Sequence, residues 1–195
     1  MTEKEKMLGG YPYNSRDPEL LSMYHRAMSL LQDFNKLEST DTSGVAELLS
    51  ELLGHKGEGV WVNAPFFCDY GENISIGENT FINTNCIFVD DNKITIGSNV
   101  LLAPFVQIYT ATHPLKASER IVENPGVEAP YVTTTLPVAI GNSVWIGGGA
   151  IIMPGVSIGD NVTIGAGSVV TKDIPSGVLA YGNPCKVVKQ LDALP

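Results

Sequence analysis

The chain has 195 residues, 44% of them apolar and 17% charged, with a net charge of −9. That is one domain's worth of sequence with ample material for a core. The negative balance argues against a nucleic-acid partner and leaves room for a small phosphorylated ligand held by a few local cations. No run approaches the roughly 18 apolar residues of a membrane span, and the charged start MTEKEKMLGG lacks the apolar centre of an export signal. Three cysteines, Cys68, Cys86 and Cys185, show no CxxC spacing, so reduced thiols in a cytoplasmic protein are expected. Three scattered histidines make a poor metal site, and no metal is expected.

Residues 1–55 read as helical. In DPELLSMYHRAMSLLQDFNKL, Asp17 is suited to cap, Pro18 to the first helical position and Glu19 to the positive end of the helix dipole. Leu20, Tyr24, Ala27, Leu31 and Phe34 recur at steps of three and four, an apolar stripe. In SGVAELLSELLGH a second stripe, Val45, Leu48, Leu49 and Leu52, is expected to end at Gly54. Helices this short need a partner for their stripes, and the domain of residues 56–195 is the obvious one.

That domain repeats every six residues: from Ile140 it runs IGNSVW, IGGGAI, IMPGVS, IGDNVT, IGAGSV, VTKDIP. The first position is Ile140, Ile146, Ile152, Ile158, Ile164 and Val170, and the fifth is Val144, Ala150, Val156, Val162, Ser168 and Ile174. An earlier block, IGENTF, INTNCI, IGSNVL and LAPFVQ, obeys the same rule. A six-residue period fits neither an α-helix nor a long strand. It fits short strands joined by tight bends, with first and fifth residues inside and Gly or Asn at strained corners. Each coil buries its apolar row only by stacking on the next, which makes a mainly β solenoid.

Two interruptions break the register. FVDDNKIT adds residues around Asp90 to Asn92, and a long loop occupies about 111–137. Insertions at solenoid corners leave the inner rows untouched and often carry function. His113, in IYTATHPL, stands at the mouth of the loop beside Pro114. An imidazole titrates near neutral pH and suits the removal of a proton from an alcohol. Asp90 and Asp91 also fit the cap of an exposed bend, and Asn83 fits a plain corner amide. Glu128 is either a solvated loop carboxylate or a group that folds back to orient His113.

The hexads resemble those of the hexapeptide-repeat acyltransferases, which implies a left-handed parallel β-helix behind an N-terminal helical cap. GGYPYNSRDPEL, FCDYG, the IFVDD corner, THP and GNPCKVV together resemble the sugar O-acetyltransferases of the maltose and galactoside acetyltransferase type. The resemblance implies acetyl-CoA as co-substrate, a sugar such as maltose, glucose or a galactoside as acceptor, and direct transfer with His113 as base. It assigns Asp69, Asn83 and Asp91 to the acceptor, with Glu128 a further candidate. It assigns Ala103, Gly148 and Ala166 to the pantetheine arm, Trp145 to the thioester region, and Thr171, Lys172, Lys186 and Lys189 to the nucleotide end. It also implies a homotrimer with the active site between subunits, Trp145 or Phe105 being suited to outward contacts.

Some positions depart from the family. Phe81 stands where tyrosine is common, lysine replaces arginine at Lys186 and Lys189, and APYVTTTLP lengthens the loop. Near the acidic position of the cap, either Asn14 or Ser15 aligns. Other acceptors (serine, a chitin oligosaccharide, an antibiotic) stay open at this point. A non-catalytic solenoid also stays open, either a scaffold or a carbonic anhydrase-like relative.

Overall fold

A computed structural model of the chain describes residues 1–191. Three helices come first. Helix α1 (Glu3–Leu8) starts with a reciprocal cap: Glu5 N–H donates to Thr2 Oγ1 at 3.1 Å, and Thr2 N–H donates to the Glu5 carboxylate at 2.8 Å. Helix α2 (Pro18–Phe34) begins where the sequence indicates, with Asp17 accepting from Glu19 N–H at 2.9 Å. Its buried face is Leu20, Ala27, Leu30, Leu31 and Phe34. Tyr24 departs from the expected stripe and lies exposed at 38%, because the face drifts toward Leu30 over the helix's length. Helix α3 (Thr42–Leu52) buries Leu49 and Leu52, with Val45 and Leu48 half-covered.

Gly54 does not end α3. Leu53, in extended conformation, forms that cap. Gly54 is required for another reason: a Cβ there would collide with the Glu72 carbonyl of the next coil.

From His55 onward the chain winds through three parallel sheets that form the faces of a prism. The first face stacks His55–Lys56, Ile74–Ile76, Ile94–Ile96, Val138–Ile140 and Ser157–Ile158. The second stacks Trp61–Val62, Phe81–Ile82, Leu101–Leu102, Trp145–Ile146, Thr163–Ile164 and Val178–Tyr181, and Lys186–Gln190 adds an antiparallel edge. The third stacks Phe66–Cys68, Cys86–Val89, Gln107–Tyr109, Ile151–Ile152 and Val169–Val170.

Inside the prism each hexad position has a separate duty. First-position residues stack directly, as Ile76 on Ile96 on Ile140 on Ile158, and all are buried. Fifth-position residues fill the space beside them, and Ser168 satisfies its hydroxyl by donating to Gly165 O at 2.6 Å. The strained left-handed φ belongs to the fourth position, at Asn79, Asn85, Asn99, Phe105, Ser143, Gly149, Gly155, Asn161 and Gly167. The second-position glycines serve close stacking instead: a Cβ on Gly77 would lie 2.6 Å from the Gly97 carbonyl carbon. Burying an Ile side chain stabilises by roughly 1.5–3 kcal/mol, so the repeat pattern and the stability are the same fact.

Helices and coils share one core, in which Phe34, Leu49 and Leu52 meet Val62, Phe66 and Ile74. No helix among the described residues is long and apolar enough to cross a membrane. The long loop leaves the stack intact, since Ile94 and Ile96 pair directly with Val138 and Ile140 across it. It is a folded arm. Ala111–Thr112 pairs antiparallel with Thr134–Thr135, a short helix α4 spans Ala117–Arg120, and Ile121 bridges Tyr131.

Candidate active site

The chain turns from the third face to the first at a corner built by three successive coils. The first contributes Asp69 and Tyr70, the second Asp90, Asp91 and Asn92, and the third the arm with His113. Asn92 ties these layers together. Its N–H donates to Thr110 Oγ1 at 2.8 Å, and its amide donates to Thr135 Oγ1 at 2.8 Å and to Leu8 O at 3.2 Å. Asn92, in the first interruption, therefore anchors the base of the arm to α1.

His113 is oriented by the arm itself. Its Nδ1 lies 2.8 Å from Val132 O, and its ring meets the edge of Tyr131 at 5.4 Å. A carbonyl only accepts, so Nδ1 carries the proton and Nε2 keeps a free lone pair. Glu128 does not orient the ring. Its own backbone is what the structure engages, through Glu128 N–H to Pro125 O at 3.0 Å and Arg16 to Glu128 O at 3.3 Å. A cleft of about 220 Å³ runs alongside, lined by Tyr13, Glu128, Tyr131 and Val132 among others.

Asp90 and Asp91 are buried and Asp69 is half-buried, which rules out the reading of Asp90 and Asp91 as caps of an exposed bend. Asp90 Oδ1 accepts from the N–H groups of Asp69 and Tyr70 at 2.9 and 2.8 Å. Burial pushes Asp90 up to about 7 even so, with the Asp91 charge adding to the effect. Asp69 is raised by burial first and then by the charges of Asp91 and Asp90. Asp91 is raised by burial, opposed by the Tyr13 hydroxyl, which donates to Asp91 Oδ1 at 2.6 Å. His113 is near enough to favour the Asp91 charge as well.

The corner between the second and third faces has the opposite character. Here lie Asn83, Ala103, Gly148 and Ala166 on four successive coils, the first two at the second hexad position and the last two at the third. A Cβ on Gly148 would sit 3.2 Å from Pro104 O, and added atoms at Gly149 or Gly167 would meet nothing within 4 Å. The result is a bare cradle of backbone. Trp145, 55% exposed, stands on the second face below it, and Phe105, 57% exposed, sits on the corner. Asn83 acts as a corner amide, accepting from Thr84 N–H at 2.8 Å, and also lines a cavity of about 440 Å³ beneath α2 and α3. Thr171, Lys172, Lys186 and Lys189 are exposed near the end of the prism. Within one chain, His113, Asp69 and Asp91 come together, and Asn83 and the cradle sit on a different corner.

Residues 6–57 match the maltose acetyltransferase hexapeptide capping motif, and residues 137–172 match six repeats of the bacterial transferase hexapeptide. A maltose O-acetyltransferase from Clostridium difficile 630 superposes with a TM-score of 0.92 at 47% identity, covering 99% of each chain. The chain is a hexapeptide-repeat acetyltransferase of the maltose and galactoside O-acetyltransferase family. A galactoside acetyltransferase solved in complex with coenzyme A gives a TM-score of 0.90 at 36% identity, over 98% of this chain and 92% of that one. Nodulation protein L of Rhizobium meliloti is 46% identical over 95% of this acetyltransferase and 97% of its own length.

Two residues of the His113 corner escaped the sequence reading. Val132 acts through its carbonyl oxygen, which every residue has, so no side-chain signal marks it. Tyr13 sits in a segment with no periodicity, and only the fold carries it to Asp91. Among the described residues, no group of three or more His, Cys, Asp or Glu is placed to hold a metal.

Proposed function

We propose that this acetyltransferase moves an acetyl group from acetyl-CoA to a hydroxyl of a sugar such as maltose, glucose or a galactoside, by direct transfer. In this reading residues 1–55 act as a cap and 56–195 as the acyltransferase domain, working in the cytoplasm, a setting that suits three free cysteines. Acetyl-CoA supplies the activated acetyl carbon. His113 Nε2 takes the acceptor's hydroxyl proton as the acceptor oxygen forms its bond to the acetyl carbon. The same nitrogen returns the proton to the sulfur when the carbon–sulfur bond breaks. Asp69 and Asp91 bind the sugar's hydroxyls, for which carboxyls offer several acceptor positions.

The cradle of Ala103, Gly148 and Ala166 fits a pantetheine arm, since its open backbone allows close approach. Thr171, Lys172, Lys186 and Lys189 serve the phosphates at the nucleotide end as exposed hydroxyl and ammonium groups. The cradle and His113 occupy different corners, so a complete site requires two chains, with Asn83 and Trp145 supplied across the interface. A closed three-fold ring of prisms satisfies this. The outer row Trp61, Phe81, Leu101 and Trp145, in register on the second face, offers the apolar surface for it.

The observation that carries the reading is the His113 Nδ1 contact with Val132 O beside the buried Asp91. The test is release of free CoA from acetyl-CoA across a panel of sugars, serine and hydroxylated antibiotics. Release that depends on a sugar supports the proposal. Release with serine or an antibiotic alone replaces the acceptor, and no release with any acceptor refutes the activity.

A further inference from the structure

We propose that Tyr13 is a positioning residue of the acceptor site: its hydroxyl fixes Asp91 as the ionised member of a carboxyl pair whose single proton rests on Asp69. The pair then offers a sugar hydroxyl both a donor and an acceptor. This rests on the O-acetyltransferase reading above.

The Tyr13 hydroxyl and Asp91 are both buried, and the phenol donates to Asp91 Oδ1 at 2.6 Å. The second oxygen, Asp91 Oδ2, is buried with no donor. An unpartnered carboxylate oxygen in a buried site is costly and calls for an O–H or N–H. Asp69 lies on the same corner, one coil away, with its N–H bonded to Asp90 Oδ1 at 2.9 Å, and it is close enough to Asp91 for each carboxyl to act on the other's ionisation. If both were ionised, two anions would face each other without a cation. Among the described residues, the ion pairs of the chain involve none of Asp69, Asp90 and Asp91. One proton between the two carboxyls removes the repulsion and gives Asp91 Oδ2 its donor.

The surroundings decide where the proton rests. Asp91 receives the Tyr13 hydroxyl from the cap and faces His113 on the arm. Asp69 faces Asp90 and Asp91, and Tyr70 faces all three aspartates. Charge is therefore favoured on Asp91 and disfavoured on Asp69. Tyr13 has a second tie: its N–H donates to Thr133 O at 3.3 Å, one residue from the carbonyl that orients His113. One cap residue thus holds the acid pair and the arm in register.

The test is Tyr13→Phe in the full chain, with sugar-dependent CoA release followed from pH 5 to 9 and melting measured in parallel. Loss of the donor disfavours the Asp91 charge, so the acidic limb of kcat/KM for the sugar moves up by about one pH unit. The sugar KM rises roughly tenfold, and the acetyl-CoA KM stays as it was. A lower melting temperature with an unmoved pH limb and sugar KM makes Tyr13 a structural residue only and overturns the proposal. Asp69→Asn replaces the protonated carboxyl with an amide that also donates, so it retains activity within about tenfold. A loss beyond that overturns the shared proton. Infrared spectra of the protein without substrates separate this from the activity reading. A protonated-carboxyl band at neutral pH should weaken in Asp69→Asn, and an unchanged band refutes the pair even if no acceptor is ever found.

Discussion

Two corners of the same prism differ in nearly every respect. The corner between the third and first faces carries three aspartates, a folded arm and a histidine, with Asp90, Asp91 and Asn92 buried and hydrogen-bonded beneath an exposed imidazole. The corner between the second and third faces carries alanines and glycines over an open trough of backbone. A solenoid makes both from one repeat, because inward residues set the stability and corner residues are free to vary. Crowding a corner creates perturbed acids and an oriented imidazole, and emptying one leaves an open trough.

Removing the imidazole breaks this contrast most severely. His113→Ala should lower kcat by at least about 100-fold while leaving the melting temperature unchanged, since the ring is exposed and outside the core. Steady-state kinetics beside a thermal melt checks both halves, and wild-type turnover in the folded variant would remove the crowded corner's catalytic role.

Filling the bare corner comes next. Gly148→Val places branched carbon against Pro104 O and into the trough. It should raise the acetyl-CoA KM by about tenfold and leave the sugar KM within twofold. Equal effects on both substrates would show that the two corners do not divide the substrates between them.

A smaller effect tests the buried acids through stability. Asp90 titrates near 7 in the folded chain, above its usual range. Its contribution is therefore complete below the ordinary carboxyl range and is lost as pH rises through about 7. The melting temperature should fall between pH 6 and pH 8. In Asp90→Asn that fall should shrink, because the amide oxygen still accepts from the N–H groups of Asp69 and Tyr70 while no charge develops. Parallel slopes for variant and parent would place the titration elsewhere.

The remaining corner, between the first and second faces, supplies the smallest effect. Ser143 has a φ of 55° at a fourth position where equivalent coils have Asn79, Asn99 and Asn161. Ser143→Asn should stabilise by about 0.5 kcal/mol, read by denaturant unfolding, with no change in activity. A loss of stability would contradict the assignment of left-handed strain to that position.

The interior was legible because it repeats. Ile140 to Val170 at every sixth residue leaves no architecture but stacked coils, and each of those side chains is buried. The duties of the glycines were less legible, since Gly at the second position and Gly at the fourth look alike in a sequence. Only backbone angles separate close stacking at Gly77 from left-handed strain at Gly149. The position of His113 on the arm was legible from the break in the repeat, whereas the burial of Asp91 was not, since a pair of aspartates at an interruption fits an exposed bend equally well. Tyr24 was misplaced because a stripe counted in whole turns ignores drift along a seventeen-residue helix. Tyr13 and Val132 were hidden because their roles depend on contacts across long stretches of chain, one of them through a backbone atom.

The strands on either side of the arm pair as direct neighbours, Ile94 with Val138 and Ile96 with Ile140. Residues 111–137 therefore behave as a cassette plugged into a socket that is already closed beneath it. Lengthening such a cassette at its exposed tip adds only the logarithmic cost of a longer tether. Chimeras that exchange the tip of this segment, keeping Thr133 and Thr135 on their bonds to Tyr13 and Asn92, should remain folded, so the arm can be altered apart from the scaffold.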